Sequence, residues 1–252
     1  MNRTHGRDLT IHCIGPIAVP HPLAGSELLD ADEVVIHMAT IEELRPRADA
    51  YAQLLDRAET ERMQRFKFDV DRERFLLGHG FARSVLGARL DMPPSAIRYL
   101  RGPYGKPYLA QHPLHFNLSD TKDAVAIAVH SSSALGVDIE SMARGVDHDA
   151  VGTHYFRPEE QRSIAEAVDG KRRFLEFWTR KEAVLKASGV GIMDDLRVLR
   201  VDQPVNHLSI THDAFISLAA PNYHVATWHI GETHIVSLAT SGPCTKIRFV
   251  GV

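Results

Sequence analysis

Two acids on one strand and an acid–lysine pair on a helix are the residues whose types and spacing suggest chemistry. Gly136-Val137-Asp138-Ile139-Glu140 reads as the end of a buried β-strand. Side chains alternate along a strand, so Val137 and Ile139 take one face and Asp138 and Glu140 the other. Two carboxylates on one face repel each other unless something positive lies between them. A hard divalent cation answers this: Mg²⁺ takes oxygen ligands, keeps several waters, and is bound by a few carboxylates plus substrate phosphates. An edge strand with its acidic face in water would show the same pattern. A second stretch, Phe177 to Gly189, has helical periodicity, with Phe174, Phe177, Trp178, Val184 and Leu185 as apolar positions and Gly189 as a stop. Trp178, Glu182 and Lys186 fall at i, i+4 and i+8 on one face. Glu182 could complete a three-carboxylate oxygen site with Asp138 and Glu140, and Lys186, one turn on, could neutralise a phosphate held there. A solvated Glu–Lys helix pair is the plainer account of the same spacing. Trp178 reads as a packing residue.

The elements that must position these groups can be outlined from the chain. Residues 1 to 32, with Pro16, Pro20 and Pro22, read as an irregular arm. Glu33 to Ala39 is a first strand, and Glu59 to Leu90 a long helical region with basic residues Arg62, Arg65, Lys67, Arg72, Arg74 and Arg83 on its polar side. Ile97 to Leu100 reads as a strand, Arg101 to Tyr108 as a Gly/Pro loop, and His115 to Ser119 as a strand ending in a polar turn. Ala124 to Val129 and Leu135 to Glu140 read as a hairpin, which puts both acids beside the Ser119 turn. Ser141 to Ala150 is the candidate link between halves, and Arg197 to Val201, Ser209 to Ala219, Tyr223 to Ile230 and His234 to Ala239 read as strands. Arg74-Phe75-Leu76 recurs as Arg173-Phe174-Leu175, and Val85-Leu86 as Val184-Leu185 at the same offset. The expectation is an α+β protein of two similar subdomains, related by a pseudo-twofold axis, each a small antiparallel sheet on a long helix. The first covers residues 1 to 142 and the second 143 to 252.

The chain has 252 residues, with 44% hydrophobic and 24% charged, ordinary values for a globular protein. A net charge of −3 gives no reason to expect a nucleic-acid partner. Cys13 and Cys244 make no disulfide framework, which suits a reducing compartment. Met1 to Thr10 carries no signal-peptide pattern, and no apolar run reaches the roughly eighteen residues a membrane span needs. A cytoplasmic protein without a membrane partner is therefore expected. The 15 histidines are scattered singly, with no HExxH or CxxC spacing.

Five blocks in order give the chain a family resemblance: Gly105-Lys106-Pro107, Phe116-Asn117-Leu118-Ser119, Gly136-Val137-Asp138-Ile139-Glu140, Trp178 to Lys186, and Gly189-Val190-Gly191-Ile192. Together they resemble the 4'-phosphopantetheinyl transferases of the surfactin-synthetase-activating type. The resemblance implies a monomer that moves the phosphopantetheine arm of coenzyme A to a serine of an apo acyl or peptidyl carrier protein, with Mg²⁺ on Asp138, Glu140 and Glu182. Glu182, or a water on the metal, would take the serine proton, and Lys186 would balance phosphate charge and protonate the leaving oxygen. Arg62, Arg74, Arg101 and Lys106 would contact coenzyme A phosphates, as would the turn Ser119-Asp120-Thr121 through hydroxyls and backbone N–H groups. Many relatives carry Ser-His-Ser or Ser-His-Thr where this chain has Ser119-Asp120-Thr121. An ionised aspartate cannot donate to a phosphate, so Asp120 is expected to cap local N–H groups or pair with an arginine. A silent coenzyme A-binding module, or another Mg-dependent phosphotransferase, would keep parts of the same residue set.

Overall fold

The computed structural model of the chain describes residues 6–19, 33–109, 112–145, 147–191, 195–244 and 246–251; Ile192 of the last motif lies outside them. In order, the chain forms β1 (Arg7–Val19), β2 (Val34–Thr40), short helices α1 (Ile41–Leu44) and α2 (Ala48–Ala52), α3 (Arg57–Gln64), α4 (Asp69–Leu90), β3 (Leu100–Arg101), β4 (Pro107–Tyr108), β5 (His115–Asp120), β6 (Ala124–His130) and β7 (Leu135–Ser141). It continues with α5 (His148–Tyr155), α6 (Pro158–Ala165), α7 (Gly170–Ser188), β8 (Val205–Ile210), α8 (Asp213–Leu218), β9 (Asn222–Ile230), β10 (His234–Thr240) and β11 (Ile247–Val250). The class is α+β, with antiparallel-rich sheets packed against helices. Among the described residues one sheet runs β7-β10-β9-β1-β8 and another β11-β2-β6-β5, with β1–β9 and β11–β2 the parallel pairs.

Each long helix buries its apolar stripe on one sheet. Leu77, Phe81, Val85 and Leu86 of α4 pack with Val35, Phe116, Val125 and Ile127. Phe174, Phe177, Val184 and Leu185 of α7 pack with Leu9, Ile11, Val225 and Ile235. Strand β6 shows how the sequence builds the layer between the sheets. Its Val125, Ile127 and Val129 face α4, while Ala124, Ala126 and Ala128 face Val137, Ile139, Trp228 and Leu238 of the other sheet. Small residues on that face let the two sheets approach closely.

Several elements differ from the sequence expectation. Arg7–Val19 is a strand, not an irregular arm: Leu9, Ile11 and Cys13 alternate inward, and Pro16 sits in the interruption where the β1–β9 register shifts between Ile14 and Ile17. Strands β6 and β7 are not a hairpin. Strand β6 pairs with β2 and β5, and β7 crosses to the other sheet and pairs with β10. The helical region breaks between α3 and α4, where Arg72 donates to the Phe66 and Lys67 carbonyls. Ile97 to Leu100 yields only the short β3, Leu196–Val198 is a 3₁₀ turn, and Asp213–Leu218 is a helix whose Ala214 and Phe215 join the α7 core. No helix among the described residues is long and apolar enough to cross a membrane.

Candidate active site

Strand β7 is pressed against α7 at Gly136. A Cβ there would stand 2.2 Å from the Ala183 carbonyl oxygen and 2.3 Å from the Ala187 nitrogen, so only glycine permits the approach. Helix α7 is fixed at both ends. The Asp169 side chain accepts from Arg172 N–H at its start, and Gly189, at φ 75°, closes it in the left-handed conformation. The strand period then turns Asp138 and Glu140 toward the helix, while Val137 and Ile139 enter the layer between the sheets.

The edge of the other sheet supplies the third wall. The Val137 and Ile139 N–H groups donate to side chains of β5, Asn117 Oδ1 at 2.8 Å and Ser119 Oγ at 3.3 Å. Ser119 Oγ donates to Asp138 Oδ1 (2.9 Å) and accepts from Lys186 Nζ (2.8 Å), and Lys186 also donates to Asp138 Oδ1 at 2.6 Å. Thr121 Oγ1 reaches Glu140 Oε2 at 3.5 Å, and Arg144 pairs with Glu140 Oε1. The other Asp138 oxygen, Oδ2, is buried and accepts no hydrogen bond from the described residues. Burial first, and the Asp138 charge second, push both the Glu140 and the Glu182 carboxyls up to about 7.

These features fit an oxygen-liganded cation open to substrate. A buried carboxylate oxygen with no partner is costly, and three acids in each other's field lose repulsion when a cation joins them. Among the described residues no three acidic, histidine or cysteine side chains close into a preformed cage. Lys186 and Arg144 supply the balancing charge instead. An open arrangement suits Mg²⁺, which keeps waters and takes substrate oxygens.

Beside the acids lies a cavity of about 270 Å³, lined by Arg62, His79, Tyr99, Arg101, Phe116 and Asp120 among others. Arg62 stands over the Phe75 ring, and Arg101 donates to the Gly105 carbonyl. Arg74 is engaged by Asp71 and by Asp120, each at 2.8 Å, so Asp120 does pair with an arginine. Burial raises the Asp120 carboxyl pKa against the pull of Arg74, Lys186 and His79. Lys106 does not line the cavity. Its ammonium donates to the carbonyls of Leu135 (2.8 Å), Lys186 (2.6 Å) and Ala187 (3.4 Å), clamping the β3–β4 loop to the β7–α7 junction, and burial lowers its pKa to about 8. Trp178 packs on Phe174, Tyr155 and Arg144. A larger groove of about 490 Å³ beside α6 contains none of the expected site residues.

The structure thus joins Asp138, Glu140, Glu182, Lys186, Ser119 and Thr121 in one cluster, and Arg62, Arg101 and Asp120 in the neighbouring cavity, with Arg74 bound to Asp120. Sequence reasoning passed over Arg144 and His79. Arg144 follows Glu140 by four residues in a polar link and carried no visible partner. His79 follows Phe75 and precedes Arg83 at helical spacing, a face that could have been read.

Comparison with known proteins decides the family. Residues 134–239 match the profile of the 4'-phosphopantetheinyl transferase superfamily, and residues 44–132 that of the 4'-phosphopantetheinyl transferase N-terminal family. The 4'-phosphopantetheinyl transferase HetI of Nostoc sp. is 32% identical over 168 residues, covering 64% of this chain and 71% of that protein. The chain belongs to the 4'-phosphopantetheinyl transferase superfamily. The 4'-phosphopantetheinyl transferase Sfp of Bacillus subtilis is 25% identical over 191 residues, 73% of this chain and 80% of that protein. A phosphopantetheinyl transferase of Thraustochytrium sp. is 33% identical over 154 residues, 55% of this chain and 54% of that protein. As an enzyme the chain is a 4'-phosphopantetheinyl transferase, and the two matched regions meet between β6 and β7, where the chain crosses from one sheet to the other.

Proposed function

We propose that the enzyme transfers the 4'-phosphopantetheine arm of coenzyme A to a serine of an apo acyl or peptidyl carrier protein, releasing adenosine 3′,5′-bisphosphate. The observation that carries this is the buried, unpartnered Asp138 Oδ2 in the cluster with Glu140, Glu182 and Lys186. Asp138, Glu140 and Glu182 would hold Mg²⁺, which supplies charge neutralisation and orientation to the diphosphate. Lys186, hydrogen-bonded to Ser119 and Asp138, would share its remaining donor with a phosphate oxygen and return a proton to the leaving group. Glu182 is the carboxylate set to accept the serine proton. Arg62 and Arg101 rim the cavity with fixed positive charge and offer planar donors to the nucleotide phosphates, while Tyr99 and Phe116 give it apolar walls. Arg74 and Lys106 act on this site through Asp120 and through the β7–α7 junction. In this division of labour residues 1–142 supply the coenzyme A contacts and the first two acids, and residues 143–252 the helix with Trp178, Glu182 and Lys186.

The test incubates the purified protein with coenzyme A, Mg²⁺ and an apo carrier protein and reads the carrier by intact mass. One added phosphopantetheine is expected. No adduct on any of several carriers, with coenzyme A still bound, would make the chain a silent binding module. Labelling from a nucleotide donor would make it a different phosphotransferase.

A further inference from the structure

We propose that Arg144 makes binding of the divalent cation conditional on coenzyme A, by neutralising the acid cluster until a diphosphate arrives with the metal; the proposal rests on the reading above. Arg144 is not among the residues lining the coenzyme A cavity. It reaches the cluster from the link after β7, four residues beyond Glu140, and pairs with Glu140 Oε1. That link is pinned from several sides. Ser141 Oγ donates to Asp123 Oδ2 at 2.9 Å and accepts the Ala143 N–H at 3.2 Å. The Arg144 N–H donates to the Ser141 carbonyl at 2.9 Å, and Lys122 Nζ donates to the Ala143 carbonyl at 2.8 Å. The guanidinium then stands over the Trp178 ring, 5.3 Å from its centre, one turn before Glu182 on α7. A planar cation on an aromatic face is held in place without giving up its charge. Trp178 thus carries Arg144 as well as packing α7.

Charge balance gives this arrangement its consequence. Asp138, Glu140 and Glu182 face Lys186 and Arg144, and the Arg144 charge is felt by both glutamates. On the neighbouring strand Arg74 and Asp120 cancel each other. Three ionised carboxylates against one ammonium and one guanidinium leave a single net negative charge. A divalent cation entering alone reverses that sign in a largely buried cluster, and it meets the Arg144 charge at short range, where screening is weak. A divalent cation entering with a diphosphate leaves the balance where it began. Lys186 has work of its own on the phosphate, whereas Arg144 holds only Glu140 and Trp178, so Arg144 is the charge that sets this difference. Two ligands that favour each other share one coupling free energy. With Arg144 replaced by a neutral residue, the metal alone brings the cluster to neutrality, and the coupling shrinks.

The test titrates Mn²⁺ into the full chain with and without coenzyme A, at about pH 8 so that the carboxylates are ionised, and reads free Mn²⁺ by electron paramagnetic resonance. The wild-type protein should bind Mn²⁺ much more tightly with coenzyme A than without it. Arg144→Met keeps an apolar stem on Trp178 but no charge. Its affinity for Mn²⁺ alone should rise about tenfold or more, and the ratio of the two affinities should fall by a similar factor. Arg144→Lys, which restores the charge, should return the ratio toward the wild-type value, an outcome that packing alone would not give. Arg144→Gln serves in the same way should the Met variant not melt cooperatively. A wild-type ratio in the uncharged variant, or a loss of Mn²⁺ affinity both with and without coenzyme A, would overturn the proposal while leaving the transfer reading in place. No Mn²⁺ binding by the wild-type protein even with coenzyme A would overturn both this proposal and the metal site it rests on.

Discussion

Gly136→Ala should weaken the fold and slow transfer together, because one contact sets both. The new Cβ would lie 2.2 Å from Ala183 O, 2.3 Å from Ala187 N and 2.8 Å from Lys186 C, against the 3.4 Å at which ordinary contact begins. All three are backbone atoms and cannot rotate away, so β7 and α7 must part by about 1 Å. Overpacking of this kind costs about 1–3 kcal/mol, a fall in Tm of roughly 2–12 °C for a chain of this size. The Lys106 clamp, which spans Leu135 O and Lys186 O, is stretched by the same movement. Asp138 and Glu140 ride on β7, and Glu182 and Lys186 on α7, so the site opens as well. A displacement of 1 Å in a positioned site costs about hundredfold in rate. Thermal melting and the intact-mass transfer assay read the two effects. A variant with wild-type Tm and wild-type rate would refute the account of how β7 is placed.

Two further outcomes follow from the buried groups. Burial raises the Cys13 thiol to about 11, against Arg180, while Cys244 is partly exposed. The thiolate is the reactive form, so at about pH 8 the native protein should label at Cys244 about a hundredfold faster than at Cys13, and denaturation should abolish the difference; equal native rates would contradict the packing of β1. Lys181→Met should lower stability by about 3–5 kcal/mol, read as a shift in urea midpoint, because it leaves Glu160 buried and without the 2.6 Å ammonium partner. Adding Glu160→Gln should recover part of that loss, and no recovery would mean that the pair's charges are not what is being lost.

The chemistry was more legible in the sequence than the topology. Alternation along Gly136–Glu140 placed the two acids on one face, and helical spacing placed Glu182 and Lys186 on another, because both periods are local properties of the backbone. The partner of β7 was not legible. A four-residue connection after β6 looks like a hairpin, yet β7 crosses to the other sheet, and that choice is made by the Ala face of β6, by Gly136 and by Asn117 and Ser119. Strand β1 was hidden by Pro16 within it and by Pro20 and Pro22 that follow in the sequence, although Leu9, Ile11 and Cys13 carried a strand period. Charge roles were the least legible. Lys106 resembled a phosphate ligand but donates to carbonyls, and within the α7 motif Arg180 and Lys181 are buried structural cations, bonded to Thr227, Val201 O and Gly15 O and to Glu160 respectively. Which partner a long basic side chain finds depends on neighbours brought in by the fold.

The claim that Asp138, Glu140 and Glu182 together hold one divalent cation is tested most directly by titrating Mn²⁺, as a paramagnetic substitute, into the protein with coenzyme A present and reading free Mn²⁺ by electron paramagnetic resonance. One site per chain is expected in the wild-type protein. Asp138→Asn, Glu140→Gln and Glu182→Gln should each weaken it by tenfold or more, on the order of 10–100-fold for loss of an ion's anchoring group, while still melting cooperatively. Wild-type Mn²⁺ affinity in all three variants would contradict the account.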